Sequence, residues 1–240
     1  MKYNFVNKDS ITLHLLKAYS MQTPPLLHIM ADQHCWLSPQ RCMFWEEKKL
    51  LVLSDLHWGK TGHFRKNGIA VPTEIAKEDL HRLTQQITHF NPEQVIIVGD
   101  MFHSRANREL DQWLRWRNDF SSLAFTLIKG NHDILANDWY KEAKIHVFNN
   151  QWLQPPFTFV HDAADVISEG EEENITISGH LHPGVAVKGR GKQSLRFPCF
   201  YFASPHFYLP AFSYFSGMAM VQPKKSQEVF AIVNDAVMKI

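Results

Sequence analysis

Three short apolar runs, separated by helix-like segments, place the strongest constraint on the fold of this 240-residue chain. The runs are residues 49–54 (KLLVLS), 94–98 (QVIIV) and 124–128 (AFTLI), and each has the length of a buried central strand. Apolar residues recur at steps of four and three over residues 72–90, which predicts an amphipathic helix, and a second helix is predicted around residues 109–120. This alternation is typical of an α/β sheet with helices on its faces.

The second half of the chain contains strand-like stretches with little helix between them. They are residues 157–160, 175–178, 185–187, 195–201 and 229–233. With one or two opening strands in residues 28–45, we expect an α/β fold, a four-layer α-β-β-α sandwich with two packed mixed sheets. Residues 28–240 are predicted to form one domain, and residues 1–27 an N-terminal extension.

Composition restricts the classes of function. The 25 Lys and Arg balance 24 Asp and Glu, so the chain lacks the overall basic character of a dedicated nucleic-acid binder. Its three cysteines show no C-x-x-C spacing, which fits a reducing compartment better than a disulfide framework. No run approaches the roughly 18 apolar residues of a spanning helix. We therefore expect a soluble, cytoplasmic protein without a membrane partner.

Metal-capable side chains follow the predicted strands. The clusters are SDLH at residues 54–57, GD at 99–100, GNHD at 130–133, HD at 161–162 and GHLH at 179–182. One such cluster alone is more often a structural turn. Five of them, each after a strand-like run, predict a shared site beyond the carboxyl ends of the strands. Carboxylate, amide and imidazole ligands suit Mn²⁺, Fe²⁺ or Zn²⁺, and two such ions can hold a bridging hydroxide and clamp phosphoryl oxygens.

In this order the clusters resemble the motifs D-x-H, G-D, G-N-H-D/E, H and G-H-x-H of the calcineurin-like metallophosphoesterase superfamily. The resemblance implies a phosphoesterase with two divalent metal ions. The implied ligands are Asp55, His57 and His182 for one ion, Asn131, His161 and His180 for the other, and Asp100 as the bridge. It also implies that His132 is catalytic and lies beside the substrate without binding metal, where it stabilises charge or protonates the leaving oxygen.

Further stretches are similar to a narrower family. They are DLHWGK at residues 55–60, FR at 64–65, GDMFHS at 99–104, GHLHP at 179–183 and LPAF at 209–212. They resemble the ligase-associated DNA damage response endonuclease PdeM family over roughly residues 28–220. This resemblance implies a nuclease linked to DNA repair that hydrolyses phosphodiester bonds by metal-bridged hydroxide attack, with Mn²⁺ as the expected metal. It further implies DNA as substrate and association with a DNA-repair ligase or helicase.

Two acid-free basic segments accompany these motifs, at residues 57–68 and 184–197. If they flank the site, they offer phosphate a basic approach, with Lys60 and Arg65 as candidate substrate contacts. The alternative is a pair of ordinary solvated loops, and residues 162–173 are interpreted as an acidic solvated loop. Two other functions also stay open: a phosphomonoesterase or nucleotide pyrophosphatase acting on a small molecule, and a non-catalytic module. The sequence does not predict the oligomeric state.

Overall fold

The computed structural model describes residues 23–60, 74–102, 107–167, 174–188 and 193–240. Within these ranges one sheet contains seven strands, which follow one another across the sheet in sequence order. They are β1 (Leu26–Met30), β2 (Gln33–Ser38), β3 (Cys42–Trp45), β4 (Leu50–Ser54), β5 (Gln94–Val98), β6 (Ala124–Ile128) and β7 (Ile145–Phe148). Strands β1 to β4 are antiparallel neighbours, and β4 to β7 run parallel.

Helices connect the parallel strands, as parallel pairing requires. The helix α1 (Glu74–Phe90) lies between β4 and β5 in the chain, α2 (Asn107–Asp119) between β5 and β6, and α3 (Asn137–Glu142) between β6 and β7. All three contribute side chains to one apolar cluster with the first sheet. They therefore cover the face of that sheet that points away from the second one.

The second sheet is mixed and contains nine strands within the described ranges. Its strands are β8 (Gln151–Gln154), β9 (Phe157–Val160), β10 (Ile175–Ser178), β11 (Pro183–Lys188), β12 (Ser194–Ala203), β13 (His206–Tyr208), β14 (Ala219–Met220), β15 (Glu228–Val233) and β16 (Ala236–Lys239). The order across the sheet is β14-β11-β12-β13-β10-β9-β8, with β15 paired to β12 and β16 paired to β15. The central strands β9 and β10 are parallel neighbours.

Strand β4 shows how the two sheets share the apolar residues. Leu51 and Leu53 point towards the helices, whereas Leu50 and Val52 belong to the cluster between the sheets. All four side chains are buried because both faces of this strand are covered. Across the inter-sheet core the Trp45 ring meets the Phe157 ring edge to face, with centroids 4.7 Å apart.

The predicted α/β class and the two packed mixed sheets are confirmed. The strands predicted at residues 94–98, 124–128, 157–160 and 175–178 have the predicted ends, and the helix predicted at residues 109–120 lies at Asn107–Asp119. The opening segment forms three strands instead of one or two. Residues 1–22 are outside the described ranges, so the N-terminal extension stays a prediction, although β1 already begins at Leu26. No described helix is long and apolar enough to cross a membrane.

Candidate metal centre

The candidate ligands lie where the carboxyl ends of the central strands of both sheets meet. Each follows the last residue of its strand by one to four positions. They are Asp55 and His57 after β4, Asp100 after β5, Asn131 after β6, His161 after β9, and His180 and His182 after β10. The backbone N–H of His180 donates to both carboxylate oxygens of Asp55, at 3.3 and 3.1 Å. This contact joins the ends of the two sheets directly.

One group of potential ligand atoms comprises Asp55, His57 and His182, whose ligand atoms all lie within 4.8 Å of one another. Asp55 is fully buried, and its Oδ1 lies 3.1 Å from Nε2 of His182. Burial opposes ionisation of the Asp55 carboxyl, but the hydrogen bond and charge of His182, with His161 and His57 nearby, outweigh burial and lower its pKa. The carboxylate is thus held in the form that binds a cation.

A second group comprises Asp100, His161 and His180, again with ligand atoms within 4.8 Å. Nε2 of His161 lies 3.1 Å from Nδ1 of His180, 3.2 Å from Oδ1 of Asn131 and 3.6 Å from Oδ1 of Asp100. Four donor atoms from four different loops therefore converge. Asp100 also contacts the neighbouring loop, since its carbonyl oxygen accepts the His57 N–H at 2.8 Å.

Neighbouring oxygen atoms indicate which ring nitrogen of His161 and of His180 points to the other ligand atoms of the second group. Nδ1 of His161 lies 3.4 Å from the Val98 carbonyl oxygen, which can only accept a hydrogen bond. Nδ1 must therefore carry the proton, and the lone pair of Nε2 points to the other ligands. At His180 the carboxylate of Asp162 lies 3.6 Å from Nε2, which favours a proton there and leaves Nδ1 to the centre.

The spacing of these donor atoms fits divalent metal ions. Ligand atoms about 2.1 Å from one ion lie about 3.0 Å apart at a right angle and about 3.4 Å apart at a tetrahedral angle. The contacts of 3.1 and 3.2 Å around His161 fall in this range. Imidazole nitrogens with carboxylate and amide oxygens also form a set that borderline divalent ions accept. The described residues thus contain two groups that can each hold an ion.

Five of the seven candidate ligands have left-handed backbone conformations. Their φ angles lie between 47° and 61°, in a region that non-glycine residues rarely occupy and that costs about 1–3 kcal/mol for each residue. The five residues are Asp55, His57, Asp100, His180 and His182. Strain repeated at successive strand ends is typical of functional sites, where the surrounding structure holds side chains in required directions.

Glycines in three of the motifs let the ligand loops approach one another closely. A Cβ atom added to Gly99 would lie 1.8 Å from Nδ1 of His161. A Cβ on Gly130 would lie 2.3 Å from Oδ1 of Asp100, and one on Gly179 would lie 2.6 Å from Oδ2 of Asp55. Each glycine therefore provides space for a ligand that belongs to a different motif.

His132 lies at the open side of the second group. Its backbone N–H donates to Oδ1 of Asp100 at 3.0 Å, its Nε2 lies 3.8 Å from Oδ2 of the same carboxylate, and 43% of its side chain is exposed. The ring can therefore meet a ligand arriving from solvent. Lys60 is half-buried, and burial lowers its pKa although Asp100 and Asp55 raise it. Its backbone N–H donates to the His57 carbonyl oxygen at 3.0 Å, which places Lys60 beside the first ligand group, whereas Arg65 is outside the described residues.

Two acidic residues support the centre in ways the sequence did not reveal. Asp162 faces His180 and accepts the Ala164 N–H at 3.0 Å; its signal in the sequence was its position next to His161. Asp133 is buried and accepts the N–H groups of Met101, Phe102 and Gly130 at 2.9–3.0 Å. It ties the loop after β5 to the loop after β6, while burial raises its pKa to about 7.

One depression adjoins each of the two ligand groups. A cleft of about 780 Å³ is lined by Asn131, His161 and His180 of the second group together with Lys129 and Asn149. A groove of about 240 Å³ adjoins His182 of the first group. A substrate held at the centre therefore has room beside both ligand groups.

Paired sheets with clustered metal ligands at their strand ends define the class of metal-dependent phosphoesterases. The family model for calcineurin-like phosphoesterases matches residues 48–199, and the chain belongs to this family. The protein is accordingly a hydrolase that acts on phosphoric esters.

Two solved structures resemble this chain to different degrees. Nuclease MPE from Pseudomonas putida is 27% identical, with a TM-score of 0.75 over 90% of this chain and 100% of that chain. Yfce, a phosphoesterase from E. coli, is 13% identical, with a TM-score of 0.42 over 80% of this chain and 97% of that chain. No curated protein sequence matches this chain significantly.

Proposed function

We propose that the protein is a two-metal phosphodiesterase that cleaves DNA. The observation that carries this proposal is the pair of ligand groups at adjoining strand ends, with Asp100 in contact with both loops. Similarity to a nuclease over nearly the whole chain supports nucleic acid as the substrate class. The resemblance to the PdeM family supports a role in DNA repair beside a ligase or helicase.

In this proposal Asp55, His57 and His182 hold one ion, and Asn131, His161 and His180 hold the other. Asp100 would be shared by the two ions, since its carboxylate has two oxygens and its backbone contacts the loop of His57. Mn²⁺ is the proposed metal, and Fe²⁺ or Zn²⁺ are alternatives that also suit oxygen and imidazole donors without thiolate. When bound, the ions would polarise the phosphoryl oxygens and lower the pKa of water.

The side chains around the ions would bind the substrate and move its protons. His132, exposed above Asp100, is positioned to donate a proton to the leaving oxygen. Lys60 brings a positive charge towards the carboxylate pair and would contact a non-bridging phosphate oxygen. Arg65 stays a predicted substrate contact. The buried sides of the centre exclude water from Asp55 and Asp100, which strengthens these electrostatic contacts.

Steady-state rates on three substrates test the proposal. The Mn²⁺-loaded protein should cleave bis(4-nitrophenyl) phosphate and a DNA oligonucleotide faster than 4-nitrophenyl phosphate, because the depressions beside the two ligand groups leave room for the second ester group that a monoester lacks. DNA cleavage should weaken as salt increases. An Asp100→Asn variant controls for contaminating phosphatases. Efficient monoester turnover without action on DNA would instead support a phosphomonoesterase or a nucleotide pyrophosphatase.

A further inference from the structure

The groove beside His182 combines a candidate metal ligand with two arginines. We call it the arginine groove; it is lined by Arg41, Arg196, Tyr214 and the segment from Ser216 to Met218, in addition to His182. Among the described residues that line it there is no carboxylate. The groove therefore attracts anions at a point directly next to the first ligand group.

Arg41 is held rigidly in this groove. Its Nη1 donates to the carbonyl oxygens of Ala211 and Ser213 at 3.3 and 3.0 Å, and its guanidinium stacks on the Tyr214 ring at 4.3 Å. Burial lowers its pKa to about 10, so it stays protonated at neutral pH. A fixed guanidinium has five N–H donors and loses little freedom when it binds phosphate.

Arg196 is the second arginine that lines the groove. It is exposed on β12 and faces Ala186 of β11 in the antiparallel ladder. Strand β11 begins at Pro183, immediately after His182. The hairpin of β11 and β12 thus fixes the distance between this arginine and the ligand.

The cleft beside the second ligand group has a different charge. Asp162 and Asp165 line it with Lys129 as its basic residue, so it has no excess of positive charge for a phosphate. A substrate with a second phosphate group will therefore direct that group to the arginine groove, and its uncharged portion to the cleft.

We propose that the arginine groove binds the phosphate adjacent to the scissile one, so that the preferred substrate is an oligonucleotide rather than a small diester. This inference rests on the proposed function and makes it more specific. Arg196 and Arg41 are then specificity residues that contact the substrate at a distance from the reacting bond.

The experiment compares Arg196→Ala with the parent on bis(4-nitrophenyl) phosphate and on a single-stranded DNA oligonucleotide. Arg196 is exposed, so the variant should fold. We expect an unchanged rate on the aryl diester, which has one phosphate, and a loss of about ten- to a hundredfold in kcat/KM on the oligonucleotide, the range for one hydrogen bond to a charged group. Lys188→Ala is the matched control, because Lys188 lies on the same hairpin but does not line the groove.

Binding supplies a second readout that does not depend on turnover. Fluorescence anisotropy of a labelled single-stranded DNA in EDTA should show weaker binding for Arg196→Ala. The slope of log affinity against log salt should fall by about 0.7, as expected for one lost phosphate contact on a single strand. Arg41→Lys keeps the charge but loses the planar fork, and it should weaken DNA binding without affecting the aryl diester.

Each outcome decides between the two proposals. If the parent cleaves the oligonucleotide but Arg196→Ala cleaves it equally well, the groove proposal is wrong and the proposed function stands. Equal losses on both substrates would also overturn the groove proposal, because Arg196 would then act on the centre itself. If the parent hydrolyses the aryl diester but no oligonucleotide, both proposals fail.

Discussion

Oxygen atoms next to His161 and His180 favour one protonated nitrogen on each imidazole ring. The Val98 carbonyl holds the proton of His161 on Nδ1, and the Asp162 carboxylate favours a proton on Nε2 of His180. Each imidazole is thereby prepared to offer its other nitrogen. The side chain of His132, which is not among the candidate ligands, is 43% exposed beside Asp100. We propose that it exchanges a proton with an incoming substrate.

Replacement of His132 by alanine should retain both metal ions but lose most turnover. General acid catalysis contributes about a hundred- to ten-thousand-fold, so we expect a loss in that range on DNA, where the leaving oxygen needs a proton. A nitrophenyl diester has a better leaving group and should lose less. Metal content measured alongside the rates is the control. Equal losses on both substrates would favour charge stabilisation, and loss of metal would make His132 a ligand.

Replacement of Gly99 by alanine should displace His161. The residue has φ of 77°, and an added Cβ would lie 1.8 Å from Nδ1 of His161. We expect the free energy of unfolding to fall by more than about 1 kcal/mol and the metal content to drop. Gly217→Ala is the matched control because its Cβ would meet nothing within 4 Å. Thermal unfolding and elemental analysis of both variants test this, and similar results for the two would contradict it.

At the level of elements, the sequence predicted best those strands that are buried on both faces. Residues 94–98 and 124–128 are mostly apolar, with Gln94 and Thr126 as the exceptions, because helices cover one face of the sheet and the second sheet covers the other. The short strands β7 and β13 were not predicted, since His146 interrupts the apolar pattern of β7 and β13 has only three residues. The candidate ligands were identifiable because each follows such a strand, whereas the position of Arg41 depends on a contact 172 residues away along the chain.

A buried ion pair anchors helix α1 to the segment beside Asp55. Nη2 of Arg82 lies 2.7 Å from Oδ1 of Asp79 and donates to the Phe212 carbonyl, while Oδ2 of Asp79 accepts the Ser213 hydroxyl at 3.0 Å. The N–H of Ser213 in turn donates to the Asp55 carbonyl oxygen at 3.3 Å. The helix therefore positions the backbone of the first ligand.

Asp79→Ala should leave the Arg82 charge buried without its partner and reduce the free energy of unfolding by about 3–5 kcal/mol. The matched control is Asp138→Ala in α3, which breaks another pair spaced three residues apart, Asp138 with Lys141, that is almost fully exposed. That change should leave the unfolding transition nearly unaltered, because exposed pairs contribute little. Chemical denaturation of the two variants measures the difference. An equally small effect for Asp79→Ala would show that the pair does not anchor the helix.

For the whole molecule, the centre links two sheets that otherwise meet through apolar packing. Four candidate ligands follow strands of the first sheet and three follow strands of the second: Asp55, His57, Asp100 and Asn131 in the first, and His161, His180 and His182 in the second. An ion bound by residues from both sheets stabilises the folded state over the unfolded one. At a hundred times its dissociation constant this amounts to about 2.7 kcal/mol for each ion.

Loading with Mn²⁺ should give two ions per chain and raise the melting temperature by several degrees, since about 1 kcal/mol corresponds to roughly 2–4 °C in a chain of this size. Chelation should reverse the shift. Asp100→Asn should reduce both the stoichiometry and the shift, because it weakens a carboxylate proposed to serve both ions. Elemental analysis and scanning calorimetry measure the two quantities. A stoichiometry of one at excess metal would contradict a dinuclear centre.

The three glycines that make room for ligands of other motifs have a consequence for protein engineering. Gly99 is adjacent to Asp100 in the chain but makes space for His161; Gly130 makes space for Asp100, and Gly179 for Asp55. The ligands at one strand end therefore depend on space that a glycine at another strand end provides. Grafting a single loop into another scaffold would transfer the ligands without the space they need, so a working transplant has to move the ends of β4, β5, β6, β9 and β10 as one unit.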